Sequence, residues 1–327
     1  MTKGFWGQLE KPIMVLAPMA DVTDAAFREI IAKYGKPDVM WTEFVSADGL
    51  ASEKGRNGLL IDFKYSELER PIVAQLFGST PEHFYDAAKL AKTLGFDGVD
   101  INMGCPDKKV LKQGAGAFLC KHPQLAQEII YQTMRGAEGL PVSAKIRLGY
   151  NTDILDKWIP VLLETQLAAI TIHARTMKEM SDVPARWGRV ADAVKIRNQI
   201  QSGNEQTLIL GNGDVKNLNE AQSRVDETGC DGVMIGRGIF GNPWLFSRDV
   251  REISLEDKLR VLVEHTLLFE QYFCNQPNGG KSFDVMKKHY KAYVNGFDGA
   301  KDLRILLMEC ENAKEVRGIV EHFLKKG

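Results

Sequence analysis

Short apolar runs rich in β-branched residues recur along most of the chain, and each is followed by a segment of helical periodicity. The eight runs lie at 13–17, 39–44, 72–77, 98–101, 142–146, 169–173, 208–210 and 232–235. Near-continuous hydrophobicity is typical of a parallel strand that helices cover on both faces. The pattern therefore predicts eight parallel strands that alternate with helices.

Capping residues mark where the intervening helices begin and end. Thr23 or Asp24 can cap a helix whose apolar residues follow at helical spacing, and Gly35 is its stop signal. Similar signals predict helices that begin near residues 80, 122 and 217. Pro160 predicts a kink or a late start in the helix before the sixth strand.

Eight strand–helix repeats over about 240 residues favour a TIM (β/α)8 barrel over an open, doubly wound sheet. No Gly-x-Gly-x-x-Gly element follows the first strand, which also disfavours a dinucleotide-binding fold. Four helical patterns without strands follow, at 254–274, 282–294, 299–310 and 312–325, with turn signals at 276–280 and 295–296. We therefore predict a barrel domain over 1–245 and a smaller all-α domain over 246–327.

The composition narrows the class of protein. With 44% hydrophobic and 26% charged residues among 327, the chain is typical of a globular protein. No apolar run is long enough to cross a bilayer, and the first residues lack the pattern of a secretory signal. The five cysteines lack the spacing of a zinc site or a disulfide framework, so a reducing cytoplasm is the expected location.

The sequence Asn102-Met103-Gly104-Cys105-Pro106 places a thiol on a loop directly after the fourth strand. In a TIM barrel, the loops that follow the strands form the rim where catalysis takes place. A structural cysteine normally behaves as a small hydrophobic residue, whereas Cys105 lies between glycine and proline, so we expect its sulfur to face a cavity. The alternative is a tight turn with an incidental cysteine. The remaining cysteines have the surroundings of packing residues: Cys120, Cys230, Cys274 and Cys310.

Polar and small residues at the carboxyl ends of the predicted strands should meet at one mouth of the barrel. They are Pro18, Met19 and Ala20 after the first strand, Gln75 in the third, Lys145 and Arg147 in the fifth, and His173 in the sixth. The first three give a flat backbone surface against which an aromatic ring could lie. Lys145 and Arg147 occupy alternate positions and therefore face the same side of the strand.

Two glycine-rich turns, Gly211-Asn212-Gly213-Asp214 and Gly236-Arg237-Gly238, follow the last two strands, where these barrels typically bind phosphate. Glycine lets main-chain N–H groups approach phosphate closely, and Arg237 can add a charge-assisted contact. With the flat surface, this set suits a phosphorylated heteroaromatic compound such as flavin mononucleotide (FMN). Lys145 would stabilise the negative charge around N1 and O2 of a reduced flavin. Taken singly, the turns could be ordinary loops, Lys145 a salt-bridge partner and His173 a hydrogen-bonded wall residue.

The net charge of −1 argues against a protein that coats nucleic acid, but it leaves room for a local basic surface. Between residues 281 and 304, basic residues outnumber acidic ones and alternate with aromatic residues. The basic residues are Lys281, Lys287, Lys288, Lys291, Lys301 and Arg304, and the aromatic ones are Phe283, Tyr290, Tyr293 and Phe297. The pattern predicts either an amphipathic helix with a solvated lysine face or a nucleic-acid surface.

The ordered set of motifs resembles the tRNA-dihydrouridine synthases. In chain order the motifs are Ala17-Pro18-Met19-Ala20, Ala74-Gln75-Leu76-Phe77-Gly78, Asn102 to Pro106, Lys145-Ile146-Arg147, His173-Ala174-Arg175-Thr176, Gly211 to Asp214 and Gly236-Arg237-Gly238. Met286-Lys287-Lys288-His289-Tyr290 looks like that family's basic, RNA-facing helix. The loop at 177–187 departs from the aromatic-containing loop of many members, so its substrate contacts are not carried over.

The resemblance implies an enzyme that uses FMN to reduce the C5–C6 double bond of selected uridines in tRNA, with NADPH recharging the flavin. Cys105 would donate a proton to C5, and Asn102 and Arg147 would hold the uracil. Lys287, Lys288 and Lys291 would contact the tRNA, whose target base must leave its stack. The flavin would be held by Pro18, Met19, Ala20, Gln75, Lys145, His173, Asn212, Gly213, Asp214, Gly236 and Arg237.

Two other functions compete with this one. A flavin barrel could reduce a free pyrimidine or another small molecule, but such a substrate needs no basic helical domain. An RNA-binding protein could carry a decayed enzyme site, but the cysteine, the lysine and the phosphate turns are intact.

Overall fold

A computed structural model describes residues 3–203, 206–249, 252–274, 276 and 280–326. Its strands are β1 (Ile13–Leu16), β2 (Met40–Trp41), β3 (Val45–Ser46), β4 (Ile72–Phe77), β5 (Gly98–Met103), β6 (Val142–Arg147), β7 (Ala169–His173), β8 (Leu208–Asn212) and β9 (Gly232–Ile235). Neighbours pair in parallel in the order β1-β9-β8-β7-β6-β5-β4-β2, and β3 also pairs with β4. A parallel bridge from Val15 to Val39 closes the ring. The predicted TIM barrel is confirmed, with β2 and β3 as two halves of one barrel strand.

Helices surround the barrel and then continue beyond it. They are α1 (Ala25–Tyr34), α2 (Ala47–Leu50), α3 (Glu53–Leu59), α4 (Pro81–Thr93), α5 (Lys108–Lys112), α6 (Pro123–Ala137), α7 (Leu155–Glu164), α8 (Trp187–Ile200), α9 (Leu218–Thr228), α10 (Leu255–Phe273), α11 (Val285–Tyr293), α12 (Ala300–Glu309) and α13 (Ala313–Lys326). Asp24 is the residue that caps α1, because its carboxylate accepts a hydrogen bond from the Phe27 N–H at 3.0 Å. The other capping candidate, Thr23, accepts one from the Met19 N–H at 2.9 Å instead.

Several strand boundaries differ from the predicted ones by one or more residues, and two of these differences are described here because they affect the cysteine loop and the cavity wall. The predicted strand 39–44 is interrupted after Trp41, and Phe44 lies in the gap between β2 and β3. The predicted strand 98–101 continues to Met103, because Asn102 pairs with Lys145 of β6 and Met103 pairs with Ile146. Asn102 is therefore held in a strand, and the loop begins only at Gly104.

Helices α10–α13 pack around a core that they share with the barrel. Ala25, Ala26 and Ile30 of α1 are buried in this core, and so is Trp244 from the segment that leads to α10. Phe246, two residues further on, is buried in the core of the barrel. The division at 245 and 246 stays a prediction, and the shared core fixes α10 against α1. Residues 277–279 of the predicted turn 276–280, and residue 275 before it, lie outside the residues that the structure describes.

The structure corrects the interpretation of the basic segment 281–304. Tyr290 and Tyr293 are fully buried in the helical core, so their rings do not form part of an outer surface. Lys281 is also mostly buried, and its ammonium pairs with Glu43 and, at 2.9 Å, with Asp62 of the barrel. In the described ranges, no helix is long and apolar enough to span a membrane.

Candidate active site

A cavity of about 920 Å³ opens at the carboxyl ends of the barrel strands. This volume lies within the usual range for small-molecule sites. Its wall contains thirteen of the predicted site residues: Pro18, Met19, Gln75, Asn102, Cys105, Lys145, Arg147, His173, Asn212, Gly213, Asp214, Gly236 and Arg237. Ala20 is exposed and lies outside this wall, as do the three lysines of α11. A larger groove of about 1320 Å³ at the opposite end of the barrel contains none of these residues.

Cys105 lies in the cavity wall on a loop that hydrogen bonds hold at both ends. The Asn102 side-chain oxygen accepts hydrogen bonds from the N–H groups of Gly104 (3.2 Å) and Cys105 (2.9 Å). The Cys105 carbonyl accepts one from Ala117 at 3.0 Å. Gly116 has a φ of +61°, and a Cβ there would lie 2.7 Å from the Cys105 carbonyl oxygen, so only glycine lets the chain return this closely. Burial raises the pKa of the Cys105 thiol above its ordinary value, so the thiol is neutral at pH 7.

Two cationic side chains from β6 flank this thiol. The Lys145 ammonium makes no hydrogen bond or ion pair within the part of the chain that the structure describes, and burial lowers its pKa to about 8, with repulsion from Arg147 adding to the effect. Arg147 donates from Nε to the Gly104 carbonyl at 2.8 Å and from Nη1 to the carbonyls of Thr176 and Met180, both at 3.0 Å. Burial also lowers the pKa of Arg147, to about 10. Arg147 therefore joins the cysteine loop to the loop at 177–187.

The turns after β8 and β9 present unused main-chain donors. Among the described residues, nothing accepts a hydrogen bond from the N–H groups of Gly213, Asp214 or Gly236. Gly213 has a φ of +129° and Asp214 a φ of +57°, so the chain turns sharply at these two residues. Arg237 extends from the second turn with its side chain 66% exposed. Such a set of amides beside a guanidinium is suited to binding a phosphate group.

His173 is a neutral imidazole whose orientation Arg175 fixes. The Arg175 Nη1 group lies 3.1 Å from His173 Nε2, and because a guanidinium can only donate, Nε2 is the acceptor and Nδ1 carries the proton. Burial lowers the pKa of His173 far below its ordinary value, and the charges of Lys145, Arg147, Arg175 and Arg237 lower it further. His173 can therefore offer the cavity an N–H donor but no positive charge.

Comparisons with known proteins agree with this geometry. The family model described as "Dihydrouridine synthase (Dus)" matches residues 15–326. The chain belongs to the dihydrouridine synthase family. A relative from Staphylococcus aureus (strain MRSA252), named "Probable tRNA-dihydrouridine synthase", is 37% identical over 99% of this chain and 96% of its own length. "Probable tRNA-dihydrouridine synthase 2" of Bacillus subtilis (strain 168) is 37% identical over 100% of this chain and 98% of its own length.

Solved structures with much lower sequence identity share the fold of this family member. Morphinone reductase aligns with a TM-score of 0.51 and 14% identity, over 77% of this chain and 91% of its own. Histamine dehydrogenase from Rhizobium sp. 4-9 aligns with a TM-score of 0.55 and 12% identity, over 78% of this chain and 49% of its own. At these identities the likeness shows the barrel fold alone.

Several residues of the site in this dihydrouridine synthase family member were not selected from the sequence. Phe44, Arg175, Met180 and Ser181 line the cavity, and Asp100 lies buried beside it. Asp100 could have been found from the sequence, because a carboxylate within an apolar strand is buried and must have hydrogen-bond partners inside the protein. Arg175 stands in the motif that begins at His173, but no local pattern indicates that its side chain reaches Asp214, 2.5 Å away.

The loop at 177–187, which departs from the family pattern, is folded against the mouth of the cavity. Its main chain is tied down by Met177, which donates to the Gly149 carbonyl at 2.8 Å, and by Lys178, which donates to the Tyr150 carbonyl at 2.9 Å. Met180 has a φ of +49°, a left-handed conformation that costs free energy for a non-glycine residue. Its carbonyl is one of the three that Arg147 binds, so a hydrogen bond from the site holds this conformation.

Proposed function

We propose that this chain reduces the C5–C6 double bond of uridines in tRNA to give 5,6-dihydrouridine, with FMN as cofactor and NADPH as the reductant that recharges it. Membership of the dihydrouridine synthase family and the names of the two relatives support the reaction and the tRNA substrate. The observation that carries the proposal is that one cavity contains the Cys105 thiol, the unpaired Lys145 and the free amides of the last two turns.

The residues of the wall fit FMN. The N–H groups of Gly213, Asp214 and Gly236, together with Arg237, would bind the phosphate. Lys145 and the Nδ1–H of His173 would face polar atoms of the isoalloxazine ring, with Pro18 and Met19 as the flat surface beside it. When bound and reduced by NADPH, FMN would supply the hydride that adds to C6 of the uracil.

Cys105 would deliver the proton that completes the reduction. A hydride added at C6 leaves an electron pair at C5, and the neutral thiol can form the new C5–H bond as its own S–H bond breaks. The product is dihydrouridine and a thiolate, which water reprotonates. Lys145 and Arg147 favour the thiolate electrostatically, so they lower the free energy of the state that follows proton transfer.

Asn102 and Arg147 retain only part of their hydrogen-bonding capacity for a substrate. The oxygen of Asn102 is used twice by the cysteine loop and one of its N–H groups by Gln75, so one N–H remains. Nothing in the described ranges accepts a hydrogen bond from the Arg147 Nη2 group. We propose that this N–H of Asn102 and Nη2 of Arg147 hold the uracil carbonyl edge.

The three lysines of α11 differ in how free they are to bind RNA. Lys287 pairs with Asp284 at 2.5 Å, and Lys288 donates to the Asp21 carbonyl of the barrel at 2.6 Å. Lys291 is exposed and forms no ion pair with any described residue. We propose that Lys291 contributes most to RNA binding in this helix. Lys108, Lys109 and Lys112 of α5, exposed directly after the cysteine loop, would contact the phosphates on either side of the flipped uridine.

The test is to incubate the purified chain with FMN, NADPH and a tRNA transcript without modified bases, and to measure dihydrouridine by mass spectrometry. Free uridine and uracil are assayed in parallel. We expect product with the transcript and none with the free compounds. Reduction of a free pyrimidine alone would favour a small-molecule reductase, and a protein that takes up no FMN would refute the proposal.

A further inference from the structure

Three polar side chains lie next to one another on neighbouring strands inside the barrel. Gln75 of β4 pairs in register with Asp100 of β5, and Asp100 pairs with Ser143 of β6. Their exposed fractions are 0%, 1% and 2%, so none of them reaches bulk water. A buried carboxylate costs free energy unless hydrogen bonds compensate for its lost hydration.

The hydrogen bonds of this cluster have a fixed direction. An ionised Asp100 can only accept, and it accepts from Gln75 Nε2 at 2.7 Å and from Ser143 Oγ at 2.5 Å. The amide of Gln75 must therefore point its other end, Oε1, away from Asp100. That oxygen accepts a hydrogen bond from Asn102 Nδ2 at 3.1 Å.

The direction set at Asp100 continues to the cysteine loop. Because Asn102 uses Nδ2 for Gln75, its oxygen is left to face the N–H groups of Gly104 and Cys105, which can only donate. Asp100, Gln75, Asn102 and the Cys105 N–H thus form one chain of hydrogen bonds that runs from the interior of the barrel to its mouth. Reversing either amide would place two donors or two acceptors against each other.

We propose that Asp100 is a positioning residue for Cys105, and that it acts by fixing the orientation of the Gln75 and Asn102 amides. The inference rests on the proposed function only in giving the thiol the task of proton delivery. The positioning itself is a property of the protein without cofactor or RNA. It assigns a role to a side chain that does not line the cavity.

A second role for Asp100 has to be separated from this one. Its charge also attracts Lys145, and burial raises the pKa of Asp100 to about 6. Asp100→Asn removes the charge but keeps the direction, because its oxygen can accept from Gln75 while its Nδ2 group donates to the Ser143 hydroxyl. Asp100→Leu removes both the charge and the acceptor at similar size.

The experiment measures the rate at which iodoacetamide alkylates Cys105 in the protein without FMN, resolved by mass spectrometry of peptides. The buried Cys120 and Cys230 report in the same sample whether the fold is intact. We expect Asp100→Leu to speed the alkylation of Cys105 about fivefold, which corresponds to the loss of about one net hydrogen bond. We expect Asp100→Asn to stay within about twofold of the wild type, because it keeps the hydrogen bond to Gln75.

With FMN, NADPH and tRNA, Asp100→Leu should lower kcat for dihydrouridine more than it raises KM, and Asp100→Asn should restore it. An unchanged alkylation rate in a folded Asp100→Leu protein would overturn the proposal. Equal effects of Asn and Leu would also overturn it, because charge rather than direction would then be responsible. A wild type that forms no dihydrouridine would refute the proposed function instead, and the alkylation result would stand by itself.

If Cys120 and Cys230 become reactive in Asp100→Leu, Gln75→Met interrupts the same chain one step further along. It should reproduce the faster alkylation of Cys105. Ser143→Ala is the matched control, because it removes the partner of Asp100 that lies outside the chain, and it should leave the Cys105 rate at the wild-type value. If Gln75→Met and Ser143→Ala behave alike, the proposal is wrong.

Discussion

The carboxylate of Asp214 lies 2.5 Å from Arg175 Nη2 and 3.2 Å from Arg237 Nη2, directly beside the free amides of the turns after β8 and β9. It also accepts a hydrogen bond from the Ala185 N–H at 2.8 Å. These partners account for the lowered pKa of Asp214, although its partial burial opposes the shift. The carboxylate is therefore occupied by these partners beside the proposed phosphate site, and the main-chain N–H of Asp214 stays available to an anion.

We predict that Asp214→Asn binds FMN a few-fold more tightly than the wild type. Asparagine tolerates the left-handed backbone at this position and can still accept from Ala185, while the loss of one negative charge near the phosphate is worth about 1 kcal/mol. Fluorescence titration of FMN measures the affinity. Weaker binding by a folded Asp214→Asn protein would mean that the carboxylate itself contacts the cofactor. Asp214→Ala neither favours the left-handed backbone nor accepts from Ala185, so we expect the folded protein to be less stable than the wild type.

We predict that Cys105→Ala keeps FMN and its reduction by NADPH but loses most dihydrouridine formation. Proton delivery by a positioned group typically contributes about 10²–10⁴ in rate, so a drop of that size is expected. In the wild type, product formation should persist to higher pH than the pKa of an ordinary cysteine would allow, because burial raises the thiol pKa. Stopped-flow flavin reduction and mass spectrometry separate the two half-reactions. Cys120→Ala, at a packing position, is the control, and equal product yields from Cys105→Ala would exclude the proton-donor role.

We predict that FMN affinity falls about tenfold between pH 7 and pH 9, because Lys145 loses its charge with a pKa of about 8. The FMN phosphate is already largely a dianion above pH 7. Burial raises the pKa of the Cys105 thiol above its ordinary value. Lys145→Met should bind more weakly at pH 7 and show little pH dependence. Titrations at four pH values with both proteins are the measurement. A parallel decline in both would assign the pH dependence to another group.

The barrel could be predicted from the sequence because strand and helix periodicities are local properties. Every predicted strand is present. The errors in strand boundaries occur where contacts with distant parts of the chain decide the local conformation. Asn102 is polar and was placed in a loop, yet it extends β5 because its neighbours on β6 complete the pairing. The strand at 39–44 breaks after Trp41, and within the break Glu43 pairs with Lys281, 238 residues away in the sequence.

The candidate site was predicted as a set of residue types, but not as a network. Strand ends identify which side chains reach the mouth of a barrel. They do not show that two nitrogens of Arg147 donate to main-chain carbonyls. They also do not show that Asp100 accepts a hydrogen bond that orients the amides of Gln75 and Asn102. Similarly, Tyr290 and Tyr293 are interleaved with lysines as in an RNA surface, but residues three or four apart share one face of a helix, so Met286, Tyr290 and Tyr293 are buried together.

We predict that the helical region is labile to acid. His265 and His289 are fully buried with ring centroids 4.6 Å apart, and no described residue forms a hydrogen bond with either ring. Burial lowers the pKa of His289 to about 3 and that of His265 far below its ordinary value, so the unfolded chain binds more protons below about pH 6.5. Stability should therefore fall with pH below 6.5 by up to about 1.4 kcal/mol per pH unit for each histidine.

Thermal unfolding by circular dichroism from pH 7.5 to 4.5 measures this effect. His265→Leu should reduce the loss of stability with falling pH, because it removes one of the two buried imidazoles. His322→Leu, at an exposed position on α13, is the matched control and should behave as the wild type. A wild-type melting temperature that does not change between pH 7.5 and 5 would contradict the prediction.

The lysines near the mouth should differ in their contribution to tRNA binding according to the partners that they already have. We predict that Lys291→Glu and Lys109→Glu each weaken tRNA binding and reduce the slope of log K against log salt by about 1. Lys287→Glu should act less strongly, because Asp284 already neutralises part of its charge at 2.5 Å. Filter binding measured between about 50 and 200 mM salt gives the slopes. Counterion release makes the binding constant change strongly over this range.

Lys195→Glu on α8 is the control for net charge, because Lys195 is 73% exposed and lies near Asp192 on the outer face of the barrel. It should leave the slope unchanged. If all four reversals reduce the slope equally, binding depends on total charge rather than on a defined surface. If only Lys109→Glu acts, the RNA rests on the barrel rim, and the lysines of α11 form a solvated helix face.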